Sequence, residues 1–206
     1  MEEKKIKFNH VKLIGKVESN LKLDYVTRGI FFYTFNLAVK RRGPNIDIIP
    51  ILISEKFSTS LSEIKVGKKI CIIGQVQVIS TKEKNNRFIV VVSVKEFSIV
   101  SEEKKDVNQV DLECFICKEV FYKKTQNGED FADVRVRTKS CNYKTYYTSC
   151  SAWGQKARLI SLLPVETRIK IYGRIQSKEY YKKISDDQVE KRIDCYISIQ
   201  NFEVIE

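Results

Sequence analysis

Apolar residues in this chain fall mainly at every second position. Ile49-Ile51-Ile53, Phe88-Val90-Val92-Val94 and Ile193-Cys195-Ile197-Ile199 alternate in this way, and a period of two marks strands that bury one face. A helical period stands out once. Gly154 to Leu163 sets Ala157, Leu159, Ile160 and Leu163 on one side, and Pro164 stops it. Glu55 to Ile64 shows the same pattern less clearly. Both halves of the chain therefore read as mainly β, with one short helix after the third strand.

The pattern also repeats. Asn9, Val11, Leu13 and Val17 recur as Asn108, Val110, Leu112 and Ile116, a spacing of 99 (108 − 9). The same spacing relates Phe32 to Phe131, Leu37 to Val136, and Ile70, Ile72 and Gly74 to Ile169, Ile171 and Gly173. Further on it becomes 105, relating Arg87, Val92, Val94 and Phe97 to Arg192, Ile197, Ile199 and Phe202. This predicts a six-residue insertion (105 − 99) in the last hairpin loop of the second copy. Ser101 to Val107 is rich in Glu, Lys and Asp without apolar periodicity and reads as a short exposed linker. The predicted units are residues 1–100 and 108–206, joined by 101–107. Five strands with a helix between the third and fourth, in about 95 residues, describe the five-stranded Greek-key barrel of the OB-fold, here twice in tandem.

Composition narrows the function. The 206 residues are 43% hydrophobic with only 8 Gly and 3 Pro, enough for a packed core. No apolar run approaches the roughly 20 residues of a membrane span, and Met1 to Lys7 is too charged for a signal peptide. The expectation is a cytoplasmic protein with no membrane partner and six reduced cysteines. Lys and Arg number 37 against 26 Asp and Glu, a net +11, which points to a polyanion and foremost to nucleic acid.

Two segments of the second copy carry a family resemblance. They are Cys150-Ser151-Ala152-Trp153-Gly154-Gln155-Lys156-Ala157 and Arg168-Ile169-Lys170-Ile171-Tyr172-Gly173-Arg174-Ile175-Gln176-Ser177-Lys178-Glu179-Tyr180. They resemble the core signature of bacterial single-stranded DNA-binding proteins, in which a strand ending in aromatic-Gly runs into the helix and a later Gly-x-hydrophobic strand ends in an aromatic. Asn9-His10-Val11-Lys12-Leu13-Ile14-Gly15-Lys16-Val17 resembles the opening strand of that family. The resemblance implies that Tyr147, Trp153 and Tyr180 stack bases while Arg174, Gln176 and Lys178 line the adjacent strand. Strand parity independently turns Tyr147, Ser149, Ser151 and Trp153 outward, and likewise Tyr172, Arg174, Gln176, Lys178, Tyr180 and Tyr196. Arg135 and Arg137 add cations to the same unit. Aromatics among cations suit single strands, because every base offers a π-face and Lys and Arg follow phosphates. The structural alternative is that Tyr simply fits a pleated surface.

The first copy departs from this pattern. Ile48, Ser54 and Thr81 stand where Tyr147, Trp153 and Tyr180 stand in the second, so the stacking set is gone. Yet residues 1–100 hold 18 basic against 9 acidic residues, and residues 108–206 hold 17 against 14. Phosphate contacts are therefore expected from Lys40, Arg41, Arg42, Lys82, Lys84 and Arg87. Ile48, Leu52, Ile89 and Val91 are read as outward-facing apolar residues, the mark of an interface. Two partners could cover them: a second chain, giving a homodimer through the first OB-fold, or the second unit of the same chain.

Other chemistry is set aside. Cys114-x-x-Cys117 lacks a second pair at zinc spacing, the one histidine, His10, lies in a strand, and no Gly-rich phosphate loop occurs. Neither a metal, a cofactor nor an enzyme activity is expected. Family members often end in a glycine-rich tail with an acidic tip, whereas this sequence stops at Phe202-Glu203-Val204-Ile205-Glu206, so no tail-mediated recruitment of replication proteins is expected. The leading reading is sequence-tolerant binding of single-stranded DNA in replication, repair, recombination or mobile-element transfer. The alternatives are an OB-fold assembly module that binds nucleic acid weakly, and RNA binding.

Overall fold

The computed structural model describes residues 8–57, 61–80, 88–139, 144–185 and 188–205. The first unit comprises β1 (Asn9–Val17), β2 (Lys22–Thr27), β3 (Ile30–Lys40), β4 (Ile46–Ser54), β5 (Lys69–Ser80) and β6 (Phe88–Ile99). The second comprises β7 (Val107–Ile116), β8 (Phe121–Lys124), β9 (Asp130–Lys139), β10 (Thr145–Trp153), α1 (Gln155–Ser161), β11 (Arg168–Ser185) and β12 (Gln188–Val204). In the first unit five strands close in the order β3-β4-β6-β5-β1, with β1 pairing back to β3. The matching order β9-β10-β12-β11-β7 closes the second, with β7 paired to β9. Two OB-fold barrels result, each with one extra short strand, β2 or β8, on the outer edge. No described helix is long and apolar enough to cross a membrane.

The repeated residues have structural jobs. Asn9 clamps β1 to β5: its Nδ2 donates to Val76 O at 2.9 Å and its Oδ1 accepts from Val76 N at 2.8 Å. Asn108 makes the equivalent pair with Ile175 at 2.7 and 2.9 Å. Gly74 and Gly173 sit at β-bulges where a Cβ would lie 2.4 Å from the carbonyl oxygens of Ser93 and Ser198. That close approach admits only glycine. Each bulge inserts one residue into the partner strand, Lys95 or Gln200, and so returns Phe97 and Phe202 to the core side.

Four details differ from the sequence expectation. The six extra residues of the last hairpin lengthen the strands, since the β11–β12 ladder runs on to Ser185↔Gln188. In α1, Ala157 and Ile160 are buried but Leu159 is half exposed, because it sits two positions from Ala157 and turns to the opposite side. In the first unit only a 3-10 turn at Glu55–Phe57 follows β4, and part of the expected Glu55 to Ile64 helix lies outside the described residues. Phe88, in phase with the core residues Val92 and Val94, is 73% exposed.

A twelve-stranded sheet joins the barrels through antiparallel pairing of β1 with β7. Val11 pairs with Val110, its own equivalent, so the units are related by a pseudo-twofold axis through that pair. Residues 101–105 are exposed, but the segment is pinned to the first unit. Lys16 pairs with Glu102 at 2.7 Å, Lys69 with Asp106 at 2.7 Å, and Lys40 N donates to Asp106 at 2.8 Å.

The face of the first unit read as outward-facing and apolar is covered. Leu52 is 1% exposed and Val91 is fully buried within this one chain, and Ile48 and Ile89 are partly buried. β4 lies against β11 and β6 against β12. The backbone of β4 is hydrogen-bonded to the second unit: Ile48 N donates to Ser177 Oγ at 2.9 Å, and Cys195 Sγ donates to Ile48 O at 3.5 Å. Ser177 N donates to Asp47, which is itself buried and held by Arg41 at 2.9 and 2.5 Å. Parity correctly turns Leu52 and Val91 away from their own barrel, but the second unit of the same chain lies across that face.

Candidate nucleic-acid interface

β10 ends where the chain must leave the sheet. Gly154, at φ 60°, makes the turn into α1, which leaves Trp153 as the last strand residue, on the outer surface. Across β9 its register partner is Phe131, and the two rings meet edge to face at 4.8 Å. Lys123 Nζ lies 5.7 Å over the other ring of that pair, Phe131. Trp153 is 46% and Tyr147 57% exposed, well beyond what packing requires of large aromatics. Beneath the turn, Asp130 accepts from Tyr122 Oη at 2.5 Å and Arg158 Nε at 2.9 Å. The Tyr122 hydrogen bond holds the Asp130 carboxyl below its ordinary range.

These aromatics line a cleft of about 550 Å³ between the units. The second unit contributes Phe131, Arg135, Tyr147, Ser151, Trp153, Lys178 and Tyr196, together with the acidic Asp133 and Asp194. The first unit contributes Val78, Phe88, Ile89 and Val90. Burial raises the Tyr196 phenol above its ordinary range. Ser151 faces outward by parity yet is 7% exposed, and its Oγ finds no hydrogen-bond partner among the described residues.

Of the residues singled out from sequence, the cleft thus gathers Tyr147, Trp153, Arg135, Lys178 and Tyr196. A second recess, of about 340 Å³, gathers Lys40, Arg41, Arg42 and Arg174 beside Asp47, Asp106, Asn108 and Gln200. Arg41 is already engaged with Asp47, whereas Lys40 and Arg42 are exposed. Gln176 is 7% exposed and locked between neighbours. Its amide meets Tyr196 Oη at 3.0 Å and, with the oxygen turned to Arg174, accepts from Nε and Nη2 at 2.9 and 2.8 Å. It orients Arg174 and Tyr196 and presents little surface of its own.

Like Gln176, three further predicted residues among those described line neither recess. Arg137 pairs with Glu166 and stacks 4.5 Å over Phe115. Tyr172 faces Lys170, whose Nζ sits 4.8 Å from its ring, and donates to Glu203 at 3.3 Å. Tyr180 is partly buried on the β11–β12 hairpin, paired with Arg192 in register. Lys82, Lys84 and Arg87 lie outside the described residues. Of the wall formed by the first unit, sequence parity singled out Ile89 as outward and apolar; Val78, Phe88 and Val90 were not read as part of a site, because Phe88 and Val90 fall in the alternation of buried positions.

No family model and no curated protein matches the sequence. Among solved structures, the wild-type single-stranded DNA-binding protein from Thermus aquaticus superposes with a TM-score of 0.78 at 16% identity, over 98% of this chain and 94% of that one. A deletion mutant of the same protein gives 0.75 at 15%, over 97% and 95%. The N-terminal domain of PriB from Thermoanaerobacter tencongensis is 32% identical over 46% of this chain and 98% of its own, with a TM-score of 0.40. The chain has the tandem OB-fold architecture of the Thermus protein across nearly its whole length.

Proposed function

We propose that this protein binds single-stranded DNA with little sequence preference, by stacking bases on Tyr147 and Trp153 and by attracting phosphates to nearby cations. The observation that carries the reading is the exposure of both aromatics on one cleft that also holds Arg135 and Lys178. Stacking is tolerant of sequence because each base has a π-face, and Lys40 and Arg42 extend the positive surface across the junction of the units. The fold shared with the Thermus protein, whose name states single-stranded DNA binding, supports the same assignment. Service in replication, repair, recombination or mobile-element transfer follows from such an activity.

The test is a titration with oligo(dT). Trp153 is the only tryptophan, so its emission reports the cleft directly. Binding should quench that emission, and Trp153→Ala should weaken affinity by about 1–3 kcal/mol with the fold intact. A folded Trp153→Ala protein with unchanged affinity removes the cleft as the base site.

A further inference from the structure

The pseudo-twofold axis gives every contact between the units a counterpart, and one such pair is unequal. On one side β4 of the first unit is closed against the second: Ile48 is hydrogen-bonded to Ser177 and Cys195. Adding the repeat spacings gives the counterparts, Tyr147 for Ile48 (48 + 99), Val78 for Ser177 (177 − 99) and Val90 for Cys195 (195 − 105). All three line the open cleft. The small polar side chains that join the strands on the closed side are thus valines on the open side, and a tyrosine replaces the isoleucine they grip. Valine offers no hydrogen bond, and Tyr147 needs more room than Ile48. This side therefore stays apart while keeping an apolar wall opposite the aromatics.

Resting on the single-strand reading above, we propose that this wall is the second jaw of the base site. A base stacked on Tyr147 or Trp153 is covered from the other side by Phe88, which is 73% exposed at the start of β6 and lines the cleft together with Val78, Ile89 and Val90. Three features point to a nucleobase of a single strand as the occupant. Each wall carries an aromatic ring, Phe88 on the first unit and Tyr147 and Trp153 on the second, as stacking on a flat π-surface requires. Arg135 and Lys178 border the same space and can meet the phosphates on either side of the base. The Oγ of Ser151, unpartnered among the described residues, lies at the cleft and offers a hydrogen bond to a base edge. On this account the first unit, which has Ile48, Ser54 and Thr81 in place of Tyr147, Trp153 and Tyr180, contributes to stacking on the face of its neighbour.

The experiment compares Phe88→Ala, Phe88→Trp, Trp153→Ala and the Phe88→Ala/Trp153→Ala double variant of the full chain, titrated with oligo(dT) by fluorescence anisotropy at one salt concentration. Phe88 is exposed, so the alanine variant should keep the wild-type circular dichroism and melting temperature. The expected result is about tenfold weaker binding for Phe88→Ala, the scale of one stacked base. Phe88→Trp should restore near-wild-type affinity. The double variant should lose less than the product of the single losses, because both rings act on one base. Wild-type affinity in folded Phe88→Ala, alongside a clear loss in Trp153→Ala, overturns the second jaw and leaves the stacking reading standing. Independent, multiplicative losses also overturn the shared base. Unchanged affinity in all variants overturns the stacking reading itself.

Discussion

Single residues in this protein are constrained chiefly by how closely strands approach. Gly173→Ala places a methyl 2.4 Å from Ser198 O, a backbone atom that cannot swing away. The barrel must open at the bulge, and the expected loss is about 1–3 kcal/mol, read from urea melts. The cysteines give a second test. Cys114 and Cys150 are buried in the second barrel, and burial pushes both thiols well above their ordinary range. Below the unfolded-state value of about 8.5 both states hold the proton and nothing is lost. Above it the unfolded chain ionises while the folded chain cannot, so stability falls with rising pH by about 1.4 kcal/mol per unit per thiol. Urea midpoints between pH 8 and 9.5 should show this fall, and Cys150→Ala should flatten it. A midpoint independent of pH over that window would contradict the burial of these thiols.

At the scale of elements, the contact of β4 with β11 decides whether the two barrels behave as one body. Asp47 is 1% exposed and accepts from both Arg41 and the Ser177 amide. Asp47→Ala leaves an amide and a partly buried guanidinium without their acceptor. Since Arg41 keeps 23% of its side-chain surface, some of that charge re-solvates, and the expected cost is about 2–3 kcal/mol. Leu52→Asp tests the same contact from its apolar side. Leu52 is buried within one chain, so the variant should melt at a markedly lower temperature even at dilutions where no dimer could persist. Retention of the wild-type melting temperature together with a halved molecular mass would instead place Leu52 between two chains.

For the whole molecule, charge and aromatics are divided between the units but meet at their junction. Lys40 and Arg42 are exposed around the recess that also holds Arg174, whereas the Arg41 fork is taken by Asp47. Replacing Lys40 and Arg42 by Gln should flatten the dependence of log affinity on log salt, by about 0.7 for every phosphate deprived of its cation. Arg41→Gln should act mainly on thermal stability. The slope from oligo(dT) titrations at several salt concentrations separates these effects, and an unchanged slope for the double variant would remove that recess from the path of the strand.

Much of this was legible along the chain because it depends only on periodicity. Alternation identifies the strands and the outward positions of Tyr147 and Trp153. The 99-residue spacing pairs Asn9 with Asn108 and Gly74 with Gly173, whose hydrogen bonds and close backbone approaches serve the same purpose in both barrels. Parity states which face of its own strand a side chain takes, but it says nothing about what lies beyond that face. Leu52 and Val91 were therefore readable as outward but not as covered, and Gln176 as outward but not as clasped between Arg174 and Tyr196. The insertion was countable, but only the ladder to Ser185↔Gln188 made it strand. The pairing of β1 with β7, the closed contact at Ile48 and the open cleft at Tyr147 bring together residues up to 147 positions apart. They depend on the relative placement of two barrels, which hydrogen bonding and packing between the units decide and which no local pattern encodes.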